Sequence, residues 1–168
     1  MQGSSRAAVA AGQQALDALV SGAAGASGSA ALAEDLFGIG AALDSNASLR
    51  RALTDPTRDA GAKGELVRRL LTGKAGEQAI GLVAGLVSHR WSSERDLTDT
   101  VENFAVQALV SGAEAGHRAD QIEDELFRFE RIVAGNHALR DSVGDRRADP
   151  AARAAMVDAL LSGKAQPE

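Results

Sequence analysis

The side chains in this sequence best suited to acid, base or metal chemistry are three histidines, His89, His117 and His137, and an acidic cluster, Glu123-Asp124-Glu125, followed by Arg128, Glu130 and Arg131. A metal or general-base site requires ligands brought together by recurrent spacing, such as i, i+3 or i, i+4 on one helix. The histidines have no such spacing among themselves or with a carboxylate partner, and are read as surface residues. In the acidic cluster, opposite charges fall at i, i+3 and i, i+4, the pattern of a solvated helix face. Thr72-Gly73-Lys74-Ala75 and Ser162-Gly163-Lys164-Ala165 superficially suggest a phosphate cradle, but no strand or Gly-Lys-Ser/Thr accompanies them. Gly22, Gly25 and Gly28 do not form Gly-x-Gly-x-x-Gly. Both Gly-Lys pairs close helical runs, where Gly is a left-handed terminator and Lys complements the negative end of the helix dipole. Cysteine is absent, which removes disulfides, thiolate metal sites and a cysteine nucleophile. The reading is therefore no catalytic residue, no cofactor site and no metal site, with the convergent ionisable groups that an enzyme needs nowhere in evidence.

The elements that carry these residues are helical. Of the 168 residues 45% are apolar and only 3% aromatic, Tyr is absent and Ala abundant, which favours helices packed through small side chains over a β-sandwich. The formal net charge of −5 gives no general attraction to nucleic acid or anionic lipid, which need a clustered positive surface. No apolar run approaches the roughly 20 residues that span a bilayer, and the start lacks the Leu-rich core of a secretory signal. Attachment to a membrane would have to come through a partner.

Capping and breaking residues divide the chain. Ser4 and Ser5 can cap a helix to about Val20, and Gly22 to Gly28 form a small-residue break. A second helix spans about Ser29 to Leu43, and a short one carries Leu49, Ala52 and Leu53. Asp55-Pro56 then starts a helix to Leu71, with Pro in an early helical position. A fifth covers Glu77 to His89. Ser92 or Ser93 caps a sixth running to Val110. Trp91, in the turn between the fifth and sixth, is read as a plug for the bundle end.

Self-comparison is more informative still: residues 15–75 resemble residues 105–165 at a constant shift of 90, without a gap. Ala18-Leu-Val-Ser-Gly-Ala23 recurs as Ala108-Leu-Val-Ser-Gly-Ala113, and Leu36-Phe37 as Leu126-Phe127. Asn46, Leu49, Arg50, Asp55 and Asp59 return as Asn136, Leu139, Arg140, Asp145 and Asp149. The sixth helix therefore doubles as the first helix of a second copy, joined without a flexible linker. The expected architecture is all-α: a six-helix bundle over 1–112, then a partial second copy over 105–168 that shares the sixth helix. The counterpart of the Glu77–His89 helix is missing from that copy. Its Phe127, Phe129, Ile132, Val133, Met156 and Leu160 are then left without partners, and self-association or partial disorder is expected beyond residue 112.

Several segments together resemble the delta/oligomycin-sensitivity-conferring family of F-type ATP synthase subunits. Ser5-Arg6-Ala7-Ala8-Val9-Ala10 is similar to that family's Arg-x-Tyr-Ala start, with Val9 in place of the Tyr. Asn46-x-x-Leu49-Arg50, Asp55-Pro56 and Lys63 follow its loop-and-basic segment, and Leu82-Val-x-x-Leu86 with Arg90 and the capped sixth helix is similar to its closing helix pair. The match covers about residues 4–112, and the duplicated part is similar to the extended delta subunits of high-GC Gram-positive bacteria. The family's carboxy-terminal domain has no counterpart in this sequence. The resemblance implies a non-catalytic stator subunit, held peripherally on the cytoplasmic side of the cell membrane. In the family it ties the alpha/beta head to the peripheral stalk, so that proton-driven rotation is coupled to ATP synthesis.

Two stripes run along the Glu77–His89 helix: Ile80, Val83, Ala84 and Val87 on one, and Ala79, Leu82 and Leu86 on the other. Such a helix is either central and buried all round, or has an outer stripe that awaits a partner helix. On the first helix, Ala8, Ala11, Ala15 and Ala18 form a small face beside Val9, Leu16, Leu19 and Val20. The resemblance implies that the amino-terminal helix of an alpha subunit is received here, with Val9, Leu16, Ile80, Val83 and Val87 as contacts. It also implies the stalk's b subunit as a second partner, an assignment that the unmatched carboxy-terminal domain leaves open. The duplication by itself admits another reading, a helical-repeat adaptor with no link to ATP synthase.

Overall fold

The computed structural model describes residues 3–22, 25–145 and 147–165, and within them finds helices and turns but no strand. The helices are α1 (Gly3–Gly22), α2 (Ala26–Ser45), α3 (Ala47–Thr54), α4 (Ala60–Leu71), α5 (Glu77–Ser88), α6 (Glu94–Ala115), α7 (Ala119–Gly135), α8 (His137–Gly144) and α9 (Pro150–Leu161). They divide into two units, residues 1–116 and 117–168. The division falls just past the end of α6, which continues beyond the expected stop at Val110.

Local chemistry accounts for most boundaries. Asn46 caps α3 by accepting the Leu49 amide, and Ser93, one of the two candidates for the role, caps α6 by accepting the Arg95 amide. Gly73 takes φ 77° just beyond α4, as a terminating glycine should. Two expectations need correction. Ser4 and Ser5 do not cap α1, which already includes Gly3; their hydroxyls meet Ser92 instead. Pro56 does not start α4, because the Asp55 carboxylate accepts both the amide and the hydroxyl of Thr57 and folds Pro56 into a turn. The helix begins at Ala60, where Asp59 accepts the Ala62 amide. Those Thr57 hydrogen bonds also hold the Asp55 carboxyl below its ordinary pKa. The break is shorter than the expected Gly22–Gly28, since α1 includes Gly22 and α2 starts at Ala26; residues 23 and 24 lie outside the described residues, and Gly25 has φ 74°.

In the first unit α2 packs along α6, α4 along α5, and α1 against both α5 and α6. Phe104, Leu36, Leu43, Leu53, Val67, Leu86, Leu97 and Val101 make the fully buried centre. Trp91 plugs the end of this core, 8% exposed, and its indole Nε1 donates to the Leu86 carbonyl at 2.9 Å, so its one polar atom is satisfied. Lys63 is also buried, with Nζ 3.5 Å from the His89 carbonyl oxygen. Burial pushes its amine below the ordinary lysine pKa.

In the second unit, α7 packs on α8 and α8 on α9, but no residue of the three helices is buried. Leu126, Phe127, Ile132 and Leu160 are all exposed.

Candidate partner-helix interface

The α1–α5 pair is set by one close approach. Gly12 sits where a Cβ would lie 2.5 Å from a methyl of Leu86 on α5 and 2.8 Å from the Phe104 ring on α6, so α1 fits closely against both helices only because this residue has no side chain. Polar contacts fix the register of α1. The Ser5 hydroxyl accepts the Ser92 amide at 2.8 Å, the Ser4 and Ser92 hydroxyls lie 2.7 Å apart, and the Gln13 amide donates to Gln107 on α6 at 2.7 Å.

Against this frame the expected contact residues fall mostly inside. Leu16, Ile80, Val83 and Val87 are at most 1% exposed, and Val9 is half-buried. Of the two readings left open for the fifth helix, the buried one describes its bulky side chains: both stripes face inward. What α5 turns outward is Glu77, Gln78, Gly81, Gly85 and Ser88. At Gly81 and Gly85 nothing lies within 4 Å of where a Cβ would be, so this face is open space over bare backbone.

The α1 side of the groove follows from helix geometry. At about 100° per residue, Val9 and Gln13 share one flank of the buried Gly12 line, and Gln13 reaches α6. Ala11, Ala15 and Ala18 lie on the other flank, towards α5. Ala15 and Ala18 are exposed and Ala11 is half-buried. The outward faces of α1 and α5 thus carry alanine and glycine, while Leu16, Ile80, Val83 and Val87 are buried in the bundle. The alanine face was readable in the sequence, whereas the Gly81-x-x-x-Gly85 spacing, the signal for the α5 side, is masked by the apolar residues around it. Small residues at i, i+4 let a second helix approach to the short end of the usual 8–10 Å interaxial distance. Such a groove offers shape and backbone rather than reactive groups. Among the described residues, no three His, Asp or Glu side chains gather as a metal site, and no helix is long and apolar enough to cross a membrane.

These features define an all-helical protein in which α1 and α5 turn small residues outward. No protein-family model matches the chain. Curated relatives do: it is 48% identical over 166 residues to the ATP synthase subunit delta of Kineococcus radiotolerans, 45% over 167 to that of Streptomyces griseus, and 47% over 163 to that of Streptomyces avermitilis. Each alignment takes in 97–99% of this chain. Identity this high over so much of the sequence makes the chain a homologue of the actinobacterial ATP synthase delta subunits. It spans about three-fifths of the length of these relatives, 59–61%. An adaptor unrelated to ATP synthase finds no support in these comparisons.

Proposed function

We propose that this chain serves as a non-catalytic stator element of an F-type ATP synthase, and that the groove between α1 and α5 receives the amino-terminal helix of an alpha subunit. The observation that carries the reading is the 48% identity, over 99% of this chain, to the corresponding three-fifths of an ATP synthase delta subunit, and the small-residue faces of α1 and α5 offer its physical means. A stator has to resist being turned, not to react. That demands a slowly dissociating contact made of many packed atoms. Alanine and glycine contribute little buried area themselves, so most of the affinity comes from bulky residues of the incoming helix, desolvated over Ala11, Ala15, Ala18, Gly81 and Gly85. Of the residues expected to bind the partner, Leu16, Ile80, Val83 and Val87 act from below, setting the spacing and rigidity of the two helices. Val9 is reached only along the α6 flank.

Bound there, the chain would tie the alpha/beta head to the peripheral stalk on the cytoplasmic side of the membrane, so that rotation of the shaft is coupled to ATP synthesis. Because the relatives are longer than this chain, contact with the b subunit is assigned to the protein as a whole and not to a described face. The test is a calorimetric titration with a peptide of the alpha amino-terminal segment from the same genome, with Trp91 fluorescence as a second readout. Saturable binding that Gly85→Leu weakens and Arg128→Gln on the second unit leaves intact supports the reading. A folded sample that gives no heat of binding refutes it.

A further inference from the structure

At one end of the first unit lies a cleft that the outward faces of α1 and α5 leave unused. It is open, measures about 850 Å³, and is lined by the second half of α3, the Asp55-Pro56 turn and the segment from Trp91 to Arg95. Three arginines stand on its wall, Arg50 and Arg51 from α3 and Arg95 from the first turn of α6. The wall also holds two carboxylates, Asp55 and Glu94. Asp55 accepts the amide and the hydroxyl of Thr57 and lies 3.8 Å from Arg58, so its charge is already answered. On a chain of net charge −5 the cleft therefore presents an excess of cations.

Two of the guanidiniums are held in place by groups outside the cleft wall. Arg50 donates from Nη1 to the Leu43 and Asp44 carbonyls, both at 2.6 Å, and Arg95 pairs with Asp44 at 2.7 Å and Asp99 at 3.0 Å. A guanidinium has five N–H donors in a rigid fork, so both side chains are oriented and still keep donors for a ligand. Arg51 is exposed and has no hydrogen bond or ion pair among the described residues. Beside them the Ser93 hydroxyl accepts the Arg95 amide at 3.2 Å and keeps its own proton to donate. The Trp91 nitrogen is already bonded to the Leu86 carbonyl, so that residue adds only its ring to the wall.

Forked donors of this kind match planar oxyanions through paired, charge-assisted hydrogen bonds. The shape of the cleft narrows the choice of ligand. Small-molecule sites enclose most of their ligand within mainly apolar walls, whereas this cleft is open and lined by charged and hydroxyl side chains. Nucleic acid needs a longer run of cations than three. An extended chain that lays acidic side chains along the opening satisfies both the shape and the charge. We propose that the cleft is a docking site for an acidic segment of a partner protein, with Asp or Glu carboxylates on Arg50, Arg51 and Arg95. Charge pairs at such an open rim set orientation and association rate more than affinity, so the contact is weak alone and sensitive to salt. The site shares no residue with the surface proposed for the alpha-subunit helix, and the two assignments stand or fall separately.

The experiment titrates the chain with an end-blocked hexaglutamate peptide at low ionic strength, read by calorimetry and by Trp91 fluorescence, with inorganic pyrophosphate as a competing anion. The expected result is saturable binding that perturbs Trp91 and weakens as salt is raised. Arg51→Gln, which removes a side chain that the fold does not use, should raise Kd about 10-fold, the loss of one charge-assisted contact, with Tm unchanged. Arg69→Gln removes the same charge from an exposed position on α4, outside the cleft, and should change Kd by less than about twofold. A folded chain that shows no saturable binding would overturn the proposal, as would a Kd that Arg51→Gln leaves unchanged. Equal weakening by the two variants would reduce the effect to general charge attraction, and pyrophosphate binding that the peptide fails to displace would assign the cleft to a small anion; either result also overturns it.

Discussion

Replacing both Gly81 and Gly85 by leucine separates stability from binding, and the structure sets both magnitudes. The two glycines lie inside the 12-residue α5, on its exposed side, with nothing within 4 Å of an added Cβ. Glycine in a helix interior costs about 1 kcal/mol relative to alanine, and leucine is only slightly worse than alanine. Each substitution should therefore stabilise the first unit by about 0.8 kcal/mol, and the new i, i+4 leucine pair adds roughly 0.3 kcal/mol. A total near 2 kcal/mol corresponds to a rise in Tm of roughly 8 °C for a unit of this size. Binding of the alpha peptide should move the other way. Two leucines hold an incoming helix away from the backbone it would otherwise touch, and a loss of about 2–3 kcal/mol is a 30- to 150-fold weaker Kd. Thermal unfolding followed at the buried Trp91, with calorimetric titration of the same samples, measures both quantities. A variant that is more stable and binds with unchanged Kd would refute the placement of the partner over α5. A variant that loses stability would show that this face is already covered in the free chain.

Four further outcomes are expected. Phe104→Ala, which empties the position against which Gly12 and α1 pack, should cost about 3–5 kcal/mol in urea unfolding. Gly12→Leu should destabilise by at least about 2 kcal/mol, because its Cβ alone meets Leu86 and Phe104 below 3 Å, and should release α1 before the rest of the unit in amide exchange. Lys63→Met should stabilise the first unit by about 1 kcal/mol near neutral pH, since a charge held in the interior is removed while the aliphatic volume is kept. Burial lowers the folded-state pKa of Lys63 beneath the unfolded value of 10.5, so the charged form opposes folding in full below the folded value; the gap between variant and parent should close as pH rises towards 10.5 in parallel unfolding titrations. Asn46→Ala removes the cap of α3 and should cost about 1 kcal/mol in thermal unfolding of the first unit.

Helix identity was legible wherever a capping or terminating side chain spoke for itself. Asn46, Ser93 and Gly73 do at atomic distance what their types suggest, and Trp91 fills the bundle end with its nitrogen bonded. Pro56 misled because a proline suits both the first turn of a helix and the corner of an Asx turn, and the Thr57 hydroxyl, whose effect lies in three dimensions, decides between them. The small-residue surface of α1 and α5 was half legible. A face of alanines on the first helix is a pattern of period 3.6, but the side of the fifth helix that stays open is chosen by what packs on it. All five residues named for binding are bulky and apolar, and the bundle keeps four of them, Leu16, Ile80, Val83 and Val87, inside. The glycines left outside carry no hydrophobic signal at all. The duplication itself was legible, and Phe127, Phe129, Ile132, Val133, Met156 and Leu160, the residues it left without partners, are all exposed or half-buried.

The most direct test of the central claim is co-sedimentation of the chain with a purified alpha/beta head that lacks its delta subunit. The account predicts saturable association that disappears when the amino-terminal segments of the alpha subunits are removed and weakens with the Gly81→Leu, Gly85→Leu pair. Association that survives removal of those segments, or a folded chain that stays free of the head, would contradict it.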